Sequence, residues 1–256
     1  MDEVGRGRER PPYSAPALEK GLDILELLAG AAEVLSTREI AERLGRSKAE
    51  IFRMVHVLVE RGYLARDKDD RLTLTNRLFE LGMRTPRPRQ LVETAVPVME
   101  RLAEQTAQSA HLVVLNRGET IVIATTTGGA DVSFALRLGY RRPAIEATSG
   151  LLILAFQPDP VRHRLIVESI TQTGITPDER ALGATLDAIR RQGWRVSESL
   201  DVVGVTDIGV PILGADGRAI ASIVVPHLRR HGKAPQIETI RDALLAAARE
   251  ISAGIN

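Results

Sequence analysis

Basic side chains gather around one short turn near the N-terminus. Arg43, Arg46, Lys48 and Arg53 lie close together in the sequence, and Glu50 is the one acid among them. Guanidinium and ammonium groups bind phosphate, and a guanidinium also pairs with the exposed edge of guanine. The whole chain carries 34 Lys and Arg against 33 Asp and Glu, a net charge of +1, so this positive surface is local. These residues predict contact with nucleic acid.

Two predicted helix starts position this basic cluster. Ser36 and Ser47 are each followed three residues later by a glutamate, a capping box that satisfies free N–H groups at the start of a helix. Gly45 ends the first helix, and Arg46 alone separates it from the second cap. Two helices joined by so short a turn are typical of a helix-turn-helix, whose second helix enters the major groove of DNA.

The second helix is predicted to turn one side to the core and the other to DNA. Ile51, Val55 and Leu58 mark its apolar side. Because a helix turns by about 100° per residue, Arg53 lies on the opposite side. The candidate DNA contacts of the turn and this helix are Arg46, Ser47, Lys48, Ala49, Phe52, Arg53 and His56.

Several of these residues also have a structural explanation. Glu50 is explained as the capping partner of Ser47. Without Glu50, the remaining charged residues of this surface are all positive. Arg53 is either a DNA contact or a solvated surface charge, and Phe52 either packs in the fold or touches a thymine methyl group. Helical hairpins also occur in proteins that bind no nucleic acid, so the assignment depends on the basic helix start and on the segment that follows it.

A β-hairpin after the second helix is predicted to form a wing. Residues 63–66 and 71–74 alternate in the manner of strands, and the charged residues 67–70 form the turn between them. Arg66, Lys68 and Arg71 are candidate phosphate contacts on this wing, although three aspartates of the turn stand among them. The wing is therefore a weaker candidate for DNA contact than the second helix.

The rest of the chain changes from helical to mixed α and β character. A linker helix contains Leu78 and Leu81, and the prolines within Thr85–Pro88 predict a hinge after it. Thr176–Glu179 reads as a third capping box. We predict strands at His111–Leu115, Thr120–Thr125, Val132–Leu138, Val205–Leu213 and Arg218–Val225, and helices at Val92–Ala107, Gly150–Phe156, Pro160–Ile170, Pro177–Gln192 and Ile237–Ile251.

Motifs for catalysis and metal binding are missing. The chain has no cysteine, which excludes disulfides, thiolate metal sites and a cysteine nucleophile. It also lacks the nucleophile elbow, the phosphate-binding loop and the dinucleotide fingerprint. His227 and His231 have the four-residue spacing of zinc ligands, but no third ligand accompanies them. We therefore expect no catalytic residue, no metal site and no cofactor.

Membrane attachment is not expected either. No apolar stretch approaches the roughly 18 residues that a membrane span requires. Met1–Ser14 mixes charged residues with glycine and proline and lacks the apolar core of a signal peptide. We expect a cytoplasmic protein whose partners do not include a membrane.

Several short motifs follow one another in a fixed order along the chain. They occupy residues 17–26, 38–45, 60–64 and 72–82, and continue with Gly193-Trp194, Gly204-Val205, Val210-Pro211-Ile212 and Asp216-Gly217-Arg218. In this order and spacing they resemble the IclR family of bacterial transcriptional regulators, over about residues 15 to 252. No single motif is specific, but the ordered set is.

The resemblance implies an α+β protein. Its parts are a winged helix-turn-helix, a linker helix and a GAF-like α/β effector-binding domain with an antiparallel sheet. The corresponding segments are a disordered tail at residues 1–14, the DNA-binding domain at 15–75, the linker helix and hinge at 76–90, and the effector-binding and oligomerisation domain at 91–256.

The resemblance also implies partners for the chain. The protein is expected to act on a near-palindromic, double-stranded DNA operator of a metabolic operon, with repression as the commoner mode, and to respond to a small organic acid. It is expected to be a homodimer or a dimer of dimers (homotetramer). This agrees with the geometry of recognition, because one reading helix contacts few base pairs and specificity generally needs two half-sites.

Family members bind their effector between the sheet and the loop that enters the first helix of the second domain. Thr148, Ser149 and Gly150 match that loop, where hydroxyl groups, free N–H groups and the helix dipole favour a carboxylate. Ser149 is equally well explained as the N-cap of that helix. The other matching effector positions are Ser197, Asp207, Val224 and Pro226.

Asp207 departs from the family pattern, in which a cysteine is frequent at this position. Val224 and Pro226 also depart, since serines are common there. Asp207 either accepts a hydrogen bond from a hydroxyl or amine of the effector, or pairs with Arg195 or Arg218. Because a second carboxylate would be repelled, an aromatic or hydroxylated monoacid is the expected effector.

Two other functions compete with DNA-binding regulation: a small-molecule enzyme, and a ligand-sensing module that has lost DNA binding. Ala49 and Glu50 stand where the family has Ser or Thr, so the DNA contacts differ in detail. The two capping boxes and Arg53 favour retained DNA binding. A steep loss of DNA affinity with salt distinguishes a phosphate-anchored reader from both alternatives.

Overall fold

The structure, a computed structural model, describes residues 14–128, 133–228 and 236–255. It divides into two compact units, residues 1–86 and 87–256. The predicted tail at residues 1–14 lies outside the described residues except for Ser14. Both units combine helices with antiparallel strands, so the α+β prediction is confirmed.

The first unit is a three-helix fold with a small sheet and a further helix at its end. Four buried side chains, Ile24, Ile40, Ile51 and Leu72, join its three helices and its sheet in one core. The strands are antiparallel in the order β1-β3-β2. The elements are α1 (Pro16–Gly30), β1 (Leu35–Ser36), α2 (Thr37–Leu44), α3 (Lys48–Glu60), β2 (Leu64–Arg66), β3 (Arg71–Leu74) and α4 (Arg77–Met83).

Local hydrogen bonds fix the turn between α2 and α3. Both predicted capping boxes are present: the Ser36 hydroxyl accepts from the backbone N–H of its glutamate at 3.3 Å, and so does the Ser47 hydroxyl. Gly45 has φ +61°, and its N–H reaches the last carbonyl groups of α2. This left-handed conformation favours glycine, which explains why the chain can turn here within so few residues.

The second unit is built around one six-stranded antiparallel sheet in the order β6-β5-β4-β9-β8-β7. Its central pair, β4 and β9, aligns His111 with Val224. The strands are β4 (Ala110–Asn116), β5 (Glu119–Thr126), β6 (Arg141–Pro143), β7 (Arg195–Glu198), β8 (Val205–Leu213) and β9 (Ala219–Leu228). The helices are α5 (Pro86–Thr106), α6 (Thr148–Ala155), α7 (Asp159–Thr173), α8 (Glu179–Gln192) and α9 (Ile237–Ile255).

Helices cover both faces of this sheet. Met99 of α5 and Leu244 of α9 pack with Ile223 on one face, and all three are fully buried. On the other face, Leu152 of α6 packs in a second cluster that contains Val224. Successive residues of β9 therefore enter opposite layers, as the alternation of a strand requires. No helix of the part that the structure describes is long and apolar enough to cross a membrane.

The linker helix does end before the predicted hinge at Thr85–Pro88, since α4 ends at Met83 and the two compact units divide after Pro86, but the last three residues of that segment are already helical. α5 already begins at Pro86, so the helix predicted to start at Val92 is longer by more than a turn. The prolines fit because the N–H groups of a first helical turn have no partner within the helix, and proline has none to lose. The wing hairpin, by contrast, is confirmed: β2 and β3 pair antiparallel, with Leu64 opposite Leu74.

Two further local predictions are wrong. Residues 133–137 have no regular secondary structure, although a strand was predicted over Val132–Leu138, and Val132 itself lies outside the described residues. The predicted capping box at Thr176–Glu179 does not form either. Asp178 takes the N-cap position instead, because its carboxylate accepts from the N–H groups of both Arg180 and Ala181.

Candidate nucleic-acid interface and ligand cavity

The exposed side of α3 carries the residues that were predicted to contact DNA. The helix buries Ile51 and Val55 completely, and Leu58 is half-buried, so its predicted core side is confirmed. The Phe52 side chain is 51% exposed, so the core does not enclose it. All seven predicted contacts of the turn and helix are exposed: Arg46, Ser47, Lys48, Ala49, Phe52, Arg53 and His56.

The cations of this surface are available for a polyanion. Among the described residues, Arg46, Lys48 and Arg53 form no ion pair. His56 lies 3.7 Å from Glu60, one turn further along the same helix. Free guanidinium and ammonium groups on one exposed helix match the phosphates and base edges of a duplex groove.

Glu50 does not cancel this positive surface. Its carboxylate accepts from the Ser47 hydroxyl and backbone N–H and also pairs with Lys20 of α1. The hydrogen bond from Lys20 and those from Ser47 lower the pKa of Glu50 to about 2. The acid is therefore ionised but already engaged within the fold, and Ser47 serves as the cap of α3. Lys20 was not predicted from the sequence, because nothing local connects it with residue 50.

The wing holds its arginines against the protein. Arg71 Nη1 donates to Glu39 Oε2 at 2.8 Å and to the backbone oxygen of Val34 at 3.1 Å. Arg66 pairs with Asp70 across the hairpin turn. A contact between Arg71 and DNA therefore has to come from its remaining guanidinium nitrogens.

The second unit contains a cavity of about 570 Å³, a volume that includes its open mouth. It lies beside the start of α6, over strands β4, β5, β8 and β9. Five of the seven predicted effector positions line it: Thr148, Ser149, Asp207, Val224 and Pro226. The ligand loop inferred from the family resemblance and the opposite strands therefore do meet at one cavity.

Gly150 and Ser197 support the wall of the cavity from behind. A Cβ atom on Gly150 would lie 2.3 Å from the backbone oxygen of Ala144, so only glycine allows this close approach. The Ser197 hydroxyl lies 2.6 Å from the Thr148 hydroxyl and fixes that side chain at the helix start. These two residues are placed to position the cavity wall and do not line it.

The first turn of α6 has no side-chain cap. Its N-cap residue is Ala147, which offers no hydrogen-bonding side chain. Ser149 is the second residue of the helix. The N-cap explanation of Ser149 is therefore wrong. Free N–H groups at a helix start, next to two hydroxyl groups, form a site that favours an anion.

A charged cluster at the cavity was missed by the sequence analysis. Asp201 accepts a hydrogen bond from the Tyr140 hydroxyl at 2.5 Å and pairs with Arg142 Nη2 at 2.9 Å. Burial, followed by the bond to Asp201, raises the pKa of Tyr140. Tyr140 directly precedes β6, Arg142 lies in β6 and Asp201 lies in the loop between β7 and β8, and no sequence motif joins them.

His111 was also not predicted to reach the cavity. It lines the cavity from β4, and its Nε2 accepts a hydrogen bond from the N–H of Leu136 at 2.9 Å. Burial lowers the pKa of His111 to about 4, so the imidazole is neutral near pH 7. The wall at this point therefore contributes no positive charge.

Asp207 pairs with neither of the arginines that the sequence offered as partners. Arg218 contacts Asp216 at 3.4 Å, and Arg195 forms no ion pair within the described residues. Burial raises the pKa of Asp207 to about 6, with a smaller contribution from the nearby Asp201 that is opposed by Arg142. An ion pair with Arg195 or Arg218 therefore does not account for Asp207, which lines the cavity.

Only one histidine of the pair with zinc-ligand spacing, His227 and His231, lies within the described residues. His227 is buried, and His231 lies outside the described residues. No group of three or more His, Asp or Glu residues able to hold a metal ion occurs in residues 14–128, 133–228 and 236–255.

Comparison with known proteins matches both units. The family profile described as bacterial transcriptional regulator IclR C-terminal covers residues 85–253, and the IclR helix-turn-helix domain covers residues 17–68. The chain is 30% identical over 247 residues to the HTH-type transcriptional regulator BhcR of Paracoccus denitrificans (strain Pd 1222), with coverage of 93% of this chain and 87% of that protein.

Hydroxybenzoate appears in the names of two further relatives, once as the substrate named for a hydroxylase and once as a bound ligand. The chain is 29% identical over 215 residues to the p-hydroxybenzoate hydroxylase transcriptional activator of Acinetobacter baylyi (strain ATCC 33305 / BD413 / ADP1), with coverage of 80% and 79%. An IclR homolog from Microbacterium hydrocarbonoxydans, solved in complex with 4-hydroxybenzoate, is 26% identical with a TM-score of 0.77. That likeness covers 93% of this chain and 98% of the homolog.

Proposed function

The chain belongs to the IclR family of bacterial transcriptional regulators, and from this premise we propose how its two units divide the work of regulation. It is a DNA-binding transcriptional regulator that responds to a small-molecule effector. We propose that α3 reads a near-palindromic operator of a metabolic operon. We also propose that the cavity of the second unit receives a small organic acid, which it binds without catalysing a reaction.

The exposed, unpaired cations of α3 and of the turn before it carry the proposal for DNA. Arg46 and Lys48, beside the turn, are suited to phosphates, which position a protein on the duplex. Arg53 lies further along the exposed side, where a guanidinium can pair with guanine in the major groove. Ser47 acts through the helix start that it caps, and Arg71 of the wing supplies at most one further phosphate contact. The remaining proposed contacts are Ala49, Phe52 and His56.

The uncapped start of α6 carries the proposal for the effector. A carboxylate there can accept from the free N–H groups of the first turn and from the hydroxyls of Thr148 and Ser149. A relative that was solved with 4-hydroxybenzoate, itself a carboxylate, supports this class of ligand. Val224 and Pro226 provide apolar contact for the rest of the molecule.

The proposed assembly is a homodimer, which can associate further into a dimer of dimers. Leu18 and Leu22 of α1 and Leu78 and Phe79 of α4 expose large apolar side chains on the first unit, as expected of a surface that a second copy covers. Two reading helices then reach two half-sites of one operator. We propose that the dimer acts in the cytoplasm as a repressor, and a rise in operon expression on deletion of its gene tests that sign.

DNA binding is tested by fluorescence anisotropy with labelled duplexes that cover the promoters of its own and neighbouring genes. We expect the logarithm of the affinity to fall linearly with the logarithm of salt concentration, by about 0.9 per phosphate contacted. Arg53→Ala should weaken specific binding by about 1–3 kcal/mol, because one bidentate base contact is lost.

The matched control is Arg190→Ala, which removes an exposed arginine from α8 in the second unit. It should leave operator affinity unchanged. An enzyme or a sensor without DNA binding would show no salt-dependent binding to any of these duplexes, and that result would overturn the proposal. Operator affinity unaltered by Arg53→Ala would remove Arg53 from the reading surface.

A further inference from the structure

We propose that Asp207 sets the effector specificity of the cavity: its carboxylate accepts a hydrogen bond from a hydroxyl or ammonium group of the effector and repels a second carboxylate. This inference rests on the proposed effector site and adds the chemistry of the ligand's other end. The effector is then a molecule with one carboxylate and, a short distance away, a hydrogen-bond donor.

The residues beside Asp207 leave its oxygens to a ligand. In the sheet, Asp207 lies between Ser197 of β7 and Pro226 of β9. The Ser197 hydroxyl is already bonded to Thr148 at 2.6 Å. Pro226 has no donor at all, and Val224, the other residue of β9 on this wall, is aliphatic. A partly buried carboxylate without a donor is costly, so a ligand that brings a donor gains affinity.

The charges of the cavity disfavour a second anion. Among the described residues that line it, Arg142 is the one arginine or lysine, and it is paired with Asp201. His111 is neutral near pH 7 because burial lowers its pKa to about 4. Above its pKa of about 6, Asp207 therefore remains a negative charge without an ion-pair partner among the described residues. Like charges in a partly desolvated cavity repel strongly, so a dicarboxylate is rejected.

The two ends of the site lie close to one another. Thr148 at the start of α6 bonds to Ser197, and Ser197 is the direct cross-strand neighbour of Asp207. A small ligand can therefore place its carboxylate at the helix start and its donor at Asp207. The selection follows from this geometry: the helix start accepts an anion, and Asp207 accepts a proton donor.

Two matched ligand series test the inference by isothermal titration calorimetry at pH 7.5. One is benzoate, 4-hydroxybenzoate, 4-(aminomethyl)benzoate and terephthalate; the other is butanoate, 4-hydroxybutanoate, 4-aminobutanoate and glutarate. In a series that binds, the hydroxyl or ammonium member should bind at least about tenfold more tightly than the unsubstituted acid, because a hydrogen bond to a charged group is gained. The dicarboxylate should bind most weakly.

The variant Asp207→Asn keeps the shape of the side chain and removes its charge. We expect it to reduce the preference for the ammonium member over the dicarboxylate by about tenfold or more. Asp216→Asn, in the exposed turn between β8 and β9, is the control and should keep the wild-type ranking. Thermal denaturation of each variant checks that the fold is retained.

Three outcomes would overturn the inference. They are a dicarboxylate that binds the wild type as tightly as the hydroxylated acid, an Asp207→Asn variant with the wild-type ranking, and no binding by any member of either series. Anisotropy with promoter duplexes is measured on the same samples. Retained DNA binding with a wrong ligand ranking rejects only the role of Asp207, whereas loss of DNA binding in the wild type rejects the proposed function.

Discussion

Asp207 has a thermodynamic signature that does not depend on any ligand. Its carboxyl has an ordinary pKa of 3.8, and burial raises this to about 6 in the folded chain. Between these two values the folded state binds more protons than the unfolded state. The contribution of Asp207 to the free energy of unfolding therefore falls as pH rises from about 4 to about 6, and it stays low above that range.

At the residue scale we predict that Asp207→Asn stabilises the protein at pH 7.5 and not at pH 4. The gain at pH 7.5 should be about 1–3 kcal/mol, because the variant has no charge to desolvate and the shift is near two pKa units. Urea denaturation of wild type and variant at both pH values measures it. Other groups, such as His111 with its lowered pKa, act equally in both proteins and cancel in the difference. An identical difference at both pH values would contradict the prediction.

Cavity residues were predicted correctly where the order of the family motifs along the chain assigns their positions. Thr148 and Asp207 were placed at the cavity from the family resemblance alone, and both line it. Arg142 and Asp201 could not be found in this way. Arg142 lies in the edge strand β6 and Asp201 in the loop between β7 and β8, far apart in the sequence, and their contact depends on how the folded sheet brings these segments together.

At the element scale, structure that depends on neighbours within a few residues was predicted correctly. The caps at Ser36 and Ser47 and the turn at Gly45 involve only contacts within a helical turn. The strand predicted at Val132–Leu138 is wrong because a strand depends on pairing with a distant segment, which a local pattern does not reveal. The alternation of apolar and polar residues in this segment fits a strand, but it also fits an extended segment whose side chains line a cavity. Phe134 and Leu136 do line the cavity, and no neighbouring strand pairs with them.

The short edge strands were missed for a related reason. β7 (Arg195–Glu198) and β6 (Arg141–Pro143) contain arginines and few apolar residues, so their sequence carries no strand pattern. Both lie at an edge of the sheet, where one side of the strand is unpaired and polar residues are tolerated. Their assignment depends on pairing with β8 and β5, which only the folded chain provides.

Two glycines of the first unit should respond to alanine with opposite signs. Gly45 has φ +61°, and a Cβ atom there would meet nothing within 4 Å, so the cost is purely conformational. We expect Gly45→Ala to destabilise the chain by roughly 1–2 kcal/mol. Gly21 lies inside α1 with equally open space, so Gly21→Ala should stabilise by roughly 0.5–1 kcal/mol. Urea denaturation of both variants measures the pair, and equal signs would contradict the assignment of the turn.

At the scale of the whole molecule, the proposed homodimer supplies two reading helices. One α3 can contact only a few base pairs, and a bacterial operator needs more than one half-site to be specific. Dimerisation multiplies the affinity, because the second half-site is bound as an intramolecular step. A loss of the dimer should therefore appear as a much larger loss of operator affinity than a single side chain can account for.

Phe79→Glu should separate the two copies if α4 forms part of the dimer surface. Phe79 is 69% exposed, and burying a new carboxylate against a second copy without a partner is unfavourable. We expect sedimentation velocity to show monomers at concentrations where the wild type is dimeric, and operator affinity to fall by about 100-fold. Val167→Glu changes an apolar residue of α7 that is 46% exposed on the second unit, and it should leave both measurements unchanged. Because Phe79 lies outside the core of the first unit, the thermal stability of the Phe79→Glu monomer should stay close to wild type.

A Phe79→Glu protein that remains dimeric would place the dimer surface elsewhere. A monomer that still binds the operator with full affinity would contradict the requirement for two reading helices.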